Sequence, residues 1–321
     1  MTKPLITCMG EILFDMLPIV ENDATVGFRM HPGGSPFNVA MGTARLGQPT
    51  AFACKLSTDL FGRILHKHVE REGIDARFMP SDDAFTTLAF VAYEHGEPAY
   101  SFYGDGMADT RLTIDDVPKA LFDETKMLHI GSISLLRGST PSAVLATVER
   151  LHSKALIQFD PNLRPGLVKD ESGYRVLLDK LFKLADIIKI SAADLKWLMP
   201  GRSIEAAANA LKLHGAAMVV VTRGGDGALC LRGKDTLVSP VFEVNVVDTV
   251  GAGDAFSGGT LAALAERNVF TRAALESIPA SELSDALRFA SATAAITCAR
   301  AGANPPTRDE VMRFLEERLI T

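Results

Sequence analysis

Two acids bracket two glycines in Asp248-Thr249-Val250-Gly251-Ala252-Gly253-Asp254, just ahead of the helix-forming run Thr260 to Arg267. Read with the apolar residues Val244 to Val247 as a strand end, the stretch is a strand, a tight glycine turn and a helix start. The first amides of a helix lack intrahelical partners, and the aligned peptide dipoles add partial positive charge there. Such a turn binds anions, phosphate above all. Asp254 inside that pocket is expected to stay ionised, because the dipole and nearby N–H donors favour the charged form, and to accept a proton from a hydroxyl held beside it. A helix N-cap is the plain alternative for a lone Asp. A cap, however, requires neither Gly251 nor Gly253 nor a second acid at Asp248.

Other polar residues stand out against their surroundings. Asp15 is the one charge in the extended run Ile12 to Leu17, where an exposed-face position is the plainer explanation. In Gly33-Gly34-Ser35-Pro36-Phe37-Asn38, Ser35 as N-cap and Pro36 as first helical residue account for a helix start. They leave Gly33 and Gly34, which let a ligand approach the backbone, and Asn38, whose amide offers the donor and acceptor a sugar hydroxyl needs. Arg164, in Asp160-Pro161-Asn162-Leu163-Arg164, can bridge two phosphate oxygens or make a surface ion pair. Ser191 and Asp194 fit a capping box as well as a ligand site. Thr222-Arg223-Gly224-Gly225-Asp226-Gly227 suits a nucleotide cradle or an ordinary hairpin.

The elements that must carry these residues alternate regularly. Strands are predicted at Leu5 to Met9, Thr50 to Lys55, Met127 to Ile130, Leu156 to Asp160, Ile187 to Ser191 and Ala217 to Thr222. Between and after them lie helices up to Leu46 and at Phe61 to Glu72, Pro141 to Leu151, Tyr174 to Ala185, Asn209 to His214, Ser257 to Glu266, Leu283 to Cys298 and Arg308 to Leu319. A mostly parallel sheet with helices on both faces follows, and such sheets bind ligands beyond the carboxyl ends of their strands, where these polar residues collect. Thr86 to Tyr93, a turn at His95-Gly96-Glu97-Pro98 and Ala99 to Tyr103 instead form an antiparallel pair. That pair is either a flap whose Phe102 or Tyr103 covers a ligand or a packed sheet edge.

Composition narrows the class. A chain of 321 residues, 47% hydrophobic, supports a sizeable core. Net charge −6, and a pI near 5.7, supply no basic field for a nucleic acid. The cysteines Cys8, Cys54, Cys230 and Cys298 lack metal or disulfide spacing and suit reduced thiols. Pro4 and Gly10-Glu11 interrupt the apolar residues before a leader core could form, and no window approaches a membrane span. A cytoplasmic protein with no nucleic-acid or membrane partner is expected.

Taken together, Gly33-Gly34-Ser35-Pro36-Phe37-Asn38-Val39-Ala40 and Asp248 through Phe256 resemble the two diagnostic motifs of the ribokinase (PfkB) family of carbohydrate kinases, and the resemblance covers nearly the whole chain. Gly131-Ser132-Ile133-Ser134-Leu135, Asp160 to Arg164 and Ala185 to Lys189 look most like fructokinases. The resemblance implies a ribokinase-like three-layer αβα fold with a mostly parallel sheet and a small β lid, the lid being residues 13–36 and 86–111 and the main domain residues 1–12, 37–85 and 112–321. It implies a kinase that uses ATP and Mg²⁺ to phosphorylate a primary sugar hydroxyl, fructose first, with 2-keto-3-deoxygluconate or ribose as alternatives. By resemblance Asp254 is the base, Gly251, Ala252 and Gly253 form the anion hole, and Arg164 steadies phosphates. Asp15, Gly33, Gly34, Asn38 and Phe102 hold the sugar. Ser191, Asp194, Thr222, Gly224, Gly225 and Gly227 take the nucleotide. Backbone oxygens near Asp248, Val250, Thr297, Arg300 and Gly302 correspond to a K⁺ site, and lid strands that clasp a second copy imply a homodimer.

The chain departs from the family pattern at three places. Ser191-x-x-Asp194 replaces N-x-x-E; Phe37 stands where fructokinases commonly carry a small residue; Gly104 stands where they carry an arginine after the Phe-Tyr pair. Two other classes fit less well. An NAD oxidoreductase requires G-x-G-x-x-G, but Gly251-x-Gly253-x-x is followed by Phe256; no Walker motif is present either. A non-catalytic sugar-binding regulator on the same fold stays as the different-class alternative, with Asp254 and both glycines arguing against it.

Overall fold

The computed structural model describes residues 4–22, 24–94 and 97–318. In chain order the first part comprises β1 (Leu5–Met9), β2 (Leu13–Glu21), β3 (Ala24–Gly33), α1 (Ser35–Arg45), β4 (Thr50–Ala53), β5 (Leu56–Ser57), α2 (Leu60–Arg71), β6 (Asp75–Phe78), β7 (Ser81–Asp82), β8 (Leu88–Glu94) and β9 (Glu97–Tyr103). There follow α3 (Lys119–Glu124), β10 (Thr125–Gly131), α4 (Thr140–Leu151), β11 (Leu156–Asp160), α5 (Glu171–Leu184), β12 (Ile187–Ser191), α6 (Ala192–Leu198), α7 (Ile204–His214), β13 (Met218–Thr222), β14 (Ala228–Arg232) and β15 (Asp235–Ser239). Four helices close the chain: α8 (Ala252–Glu266), α9 (Arg272–Ser277), α10 (Ala280–Cys298) and α11 (Arg308–Glu317).

The large sheet runs β15-β14-β13-β12-β11-β10-β1-β4-β6, parallel from β13 to β6 and antiparallel at β14 and β15. Its strands read as continuous apolar runs because both faces are covered. Alternate residues pack with α1, α8 and α10 on one side, as Ile6, Met127, Leu156 and Ile187 do, and with α4, α5 and α7 on the other, as Leu128, Ile157 and Ile188 do. The interruptions fall on the α8 side, where His129, Gln158 and Lys189 are buried. α8 lies very close to its neighbours. A Cβ on Gly259 would stand 2.8 Å from the Cα of Ala290 in α10, and one on Gly258 3.2 Å from the Val39 carbonyl in α1.

A separate four-stranded sheet, β3-β2-β8-β9, begins in chain order with β2, the strand that follows the carboxyl end of β1. Its register puts Asp15, Ala89 and Phe102 side by side on one face. The other face carries Phe28, Met30, Phe90 and Tyr103, with edge-on rings 5.0 Å apart for Phe28–Phe90 and 5.5 Å for Phe90–Tyr103. His95 and Gly96 of the expected hairpin turn, and Leu319 at the expected end of the last helix, lie outside the described residues.

Three local expectations are corrected. Val244 to Val247 is loop rather than strand: Val246 and Val247 are each 59% exposed, and the amides of Val247 and Asp248 go to the Cys298 carbonyl at the end of α10. That carbonyl replaces a neighbouring strand. The following helix begins at Ala252, five residues before Ser257, with Gly251 as N-cap in the left-handed region (φ 76°). Ser35 is the first residue of α1 rather than its N-cap, which is Gly34.

Candidate active site

Two distant chain segments meet at Asp254. It is the third residue of α8, 8% exposed, and its carboxylate accepts hydrogen bonds from Ser35 Oγ (2.6 Å) and Asn38 Nδ2 (2.8 Å), both on the first turns of α1. The Ser35 hydroxyl therefore holds an acid 219 positions away instead of capping its own helix. Asp254 is not an N-cap either. Burial raises its pKa, against the pull of Ser35, Asn38 and Lys189, so desolvation outweighs the stabilisation that the helix start was expected to dominate. Asn38 Oδ1 is buried and, among the described residues, has no partner. A buried acceptor left open beside an acid is what a sugar hydroxyl would satisfy.

Beneath α8 lies a group that sequence reasoning did not assign to the site. Lys189, 6% exposed at its side chain, pairs with Asp160 Oδ2 at 2.7 Å, and its Nζ would be 2.7 Å from a Cβ on Gly253. Gly253 is thus small because an ammonium sits against the first turn of the helix. The available signal was a lone lysine in the otherwise apolar strand Ile187-Ile188-Lys189-Ile190. Glu11 was missed too. It accepts the amides of Ser35 (3.2 Å) and Ser134 (3.1 Å), tying the start of α1 to the turn after β10, and burial raises its pKa to about 7.

The other expected residues divide into those drawn together and those engaged elsewhere. Asp15 projects from β2 over Gly33, where a Cβ would overlap its carboxylate; burial raises its pKa to about 6 against the nearby charge of Arg164. Gly34 passes so near the Glu11 carbonyl that a Cβ would lie 2.5 Å from it. Arg164 is exposed, and one of its nitrogens holds its own loop through Asn162 and Leu163. Phe102 is half-buried on the Asp15 face of the lid, whereas Tyr103 is 61% exposed on the other. Phe37 points away into the core, fully buried against the rings of Phe52 and His68, so its size does not shape the cleft.

Ser191 caps α6 by accepting the Asp194 amide (3.0 Å), and burial raises the pKa of Asp194. Thr222 ends β13, and the turn Gly224–Asp226 leads into β14, closed by the Arg223 amide on the Gly227 carbonyl (2.7 Å). A hairpin it is, yet Gly224 and Gly225 have open space where side chains would be. Of the anion-hole amides, Ala252 N–H donates to Thr249 O (3.2 Å). Asp248 joins two loops, accepting the amides of Val250 (3.0 Å) and Gly302 (2.9 Å). The Thr297 carbonyl accepts from the Arg300 amide, and the Arg300 guanidinium pairs with Glu310. No cluster of three or more His, Cys, Asp or Glu side chains suited to a metal occurs among the described residues. All four cysteines are free, and no helix among the described residues is long and apolar enough to cross a membrane. A cavity of about 510 Å³ between α5, α6 and α7 shares no residue with this constellation.

The chain matches the sequence pattern of the pfkB family carbohydrate kinases over residues 3–310. It is 36% identical to a fructokinase of Rhizobium leguminosarum bv. trifolii, across 85% of this chain and 84% of that one. It superposes on a fructokinase from Xylella fastidiosa with bound ATP at a TM-score of 0.92, with 30% identity, 99% of this chain and 100% of that chain covered. A fructokinase from Vibrio cholerae O395, solved with fructose, ADP and calcium, gives 0.84 at 27% identity, covering 98% of this chain and 99% of that one.

Proposed function

The chain belongs to the pfkB family of carbohydrate kinases and is an ATP-dependent sugar kinase; from that premise we propose that it converts fructose to fructose 6-phosphate. The observation that carries the mechanism is the Asp254 carboxylate at the mouth of a glycine-started helix, aimed by Ser35 and Asn38. Fructose as the sugar is supported by the relatives that bear that name.

The sugar lies under the lid with a hydroxyl on Asn38 Oδ1 and its primary hydroxyl beside Asp254, while Asp15, Gly33, Gly34 and Phe102 close around the ring. At the first turn of α8, where the Ala252 amide already donates to Thr249, the amides of Gly251, Gly253 and Asp254 are presented to the transferring phosphoryl group. Transfer passes through a loose transition state, so alignment and charge stabilisation matter more than the basicity of the acid. Asp254 takes the hydroxyl proton as the new bond forms. Lys189, under the same turn, and Arg164 offset the negative charge that gathers there. MgATP enters as substrate along Thr222, Gly224, Gly225 and Gly227, with Ser191 and Asp194 on the metal side. Backbone oxygens at Asp248 and Val250, at Thr297 near the end of α10 and at Arg300 and Gly302 beyond it would hold K⁺, which would fix the start of α8.

The test is ADP release coupled to NADH oxidation over a panel of neutral sugars and sugar acids. Fructose should give the highest kcat/KM. Sugar that raises Tm without any ADP release would replace the kinase by a sensor.

A further inference from the structure

Gly104 follows Phe102 and Tyr103 at the end of the lid, and its backbone does not lie in the left-handed region that favours glycine. Arg137 crowds that position: a Cβ on Gly104 would stand 2.8 Å from Arg137 Nη1, so the guanidinium would have to shift to admit one. Arg137 arrives from the opposite wall, just past the turn Ser132–Leu135 that follows β10, and its side chain is only 16% exposed. Its guanidinium lines a narrow cleft with Thr87, Phe102, Asp109 and Ile133.

Strand register and hydrogen bonds link the lining of that cleft to Asp254. Phe102 shares its lid face with Asp15 through Ala89. On the floor, Ser134, next to Ile133, is joined through Glu11 to Ser35, which holds Asp254. A ligand reacting at Asp254 and covered by Phe102 would extend toward Arg137.

The charges nearby define what that ligand is. Exposed Asp105 stands 3.3 Å from Arg137 Nε but is held more closely by Lys169 Nζ at 2.7 Å, and buried Asp109, bonded by Thr87 Oγ, feels the same guanidinium. Two cations matched by two acids leave no net positive charge to draw a further anion, yet the N–H groups of Arg137 that remain still donate. Resting on the reading of this site as a fructose kinase, we propose that Arg137, admitted by the missing side chain at Gly104, is a specificity-determining residue that binds hydroxyls at the end of the sugar remote from Asp254, and that the balanced charge around it favours a neutral sugar over a sugar acid.

Two variants test this independently: Arg137→Leu removes the guanidinium, and Gly104→Ala displaces it while leaving it present. Each should raise the KM for fructose about tenfold with a smaller change in kcat, while the KM for ATP and the Tm rise given by ADP stay near wild type. Arg137→Lys should recover part of the loss. Wild-type kcat/KM for fructose should exceed that for 2-keto-3-deoxygluconate by about 100-fold or more. Unchanged fructose KM in both variants, with wild-type turnover intact, overturns the role of Arg137, and efficient use of the sugar acid overturns the selection. Wild type that phosphorylates another neutral sugar instead of fructose counts against the fructose reading alone, and the variants are then judged on that sugar.

Discussion

At the scale of single residues, the proposed mechanism divides the work between Asp254, which takes the proton, and Lys189, which offsets charge. Asp254→Asn should leave nucleotide and sugar binding nearly intact while lowering kcat by about 10² or more, read by steady-state kinetics beside calorimetric titration. Turnover near wild type would remove Asp254 from the base role. Burial raises the pKa of this acid, so the acid limb of kcat/KM should lie above the ordinary carboxylate value of 3.8, the ionised form being the active one. Ser35 lowers that pKa, so Ser35→Ala should move the limb to higher pH. Lys189→Met removes the ammonium next to Gly253 and leaves Asp160 buried without its partner. A fall in kcat is expected together with a loss of stability of about 3–5 kcal/mol, measured by urea unfolding, and Lys189→Arg should separate the two by restoring stability more than turnover. Asp254 was legible because it sits in a motif with two glycines. Lys189 was not, because a lysine within an apolar strand declares its neighbours only once the strands are in register.

At the scale of elements, the approach of α8 to α1 and α10 fixes how accurately Ser35 and Asn38 meet Asp254. Gly259→Ala would push a methyl group to 2.8 Å from Ala290 Cα, and a loss of about 1–3 kcal/mol is expected by urea unfolding, with kcat falling as the α8 start is displaced. Glu11 joins α1 to the turn after β10 and links their packing to pH. Its folded pKa of about 7 lies above the ordinary 4.5, so its contribution is fully present below 4.5 and is lost as pH rises through 7. Such a shift corresponds to roughly 3 kcal/mol. Glu11→Gln should flatten the fall in unfolding free energy over that window, the share due to Asp15 and Asp109 remaining; an unchanged slope would mean that Glu11 is charged throughout. Strand and helix positions were largely legible from apolar periodicity, as at Leu156–Asp160 and Ile187–Ser191. Val244 to Val247 misled because a short apolar run says nothing about whether a neighbouring strand is there to pair with it.

At the scale of the whole molecule, the lid turns one face to the cleft and presents aromatic and apolar side chains on the other. Phe28 is 41% and Met30 40% exposed beside the Phe90 and Tyr103 rings. We expect this face to meet its counterpart on a second copy, so that Phe28→Glu shifts sedimentation from dimer to monomer at micromolar concentration. A wild-type chain that sediments as a monomer would exclude the homodimer. A large hydrophobic face left in water is costly, and pairing it would hold the lid strands while the cleft face opens and closes.

The sequence by itself determined the alternation of strands and helices, the end of the sheet at which polar residues gather, and the motif around Asp254, because these depend on periodicity and local backbone chemistry. Only the tertiary structure decided that Ser35 serves Asp254 rather than its own helix, that Phe37 belongs to the core, and that Arg137 occupies the space left by Gly104. Each of these depends on a partner distant along the chain. A side chain's direction in space follows from packing between elements, which no single segment encodes.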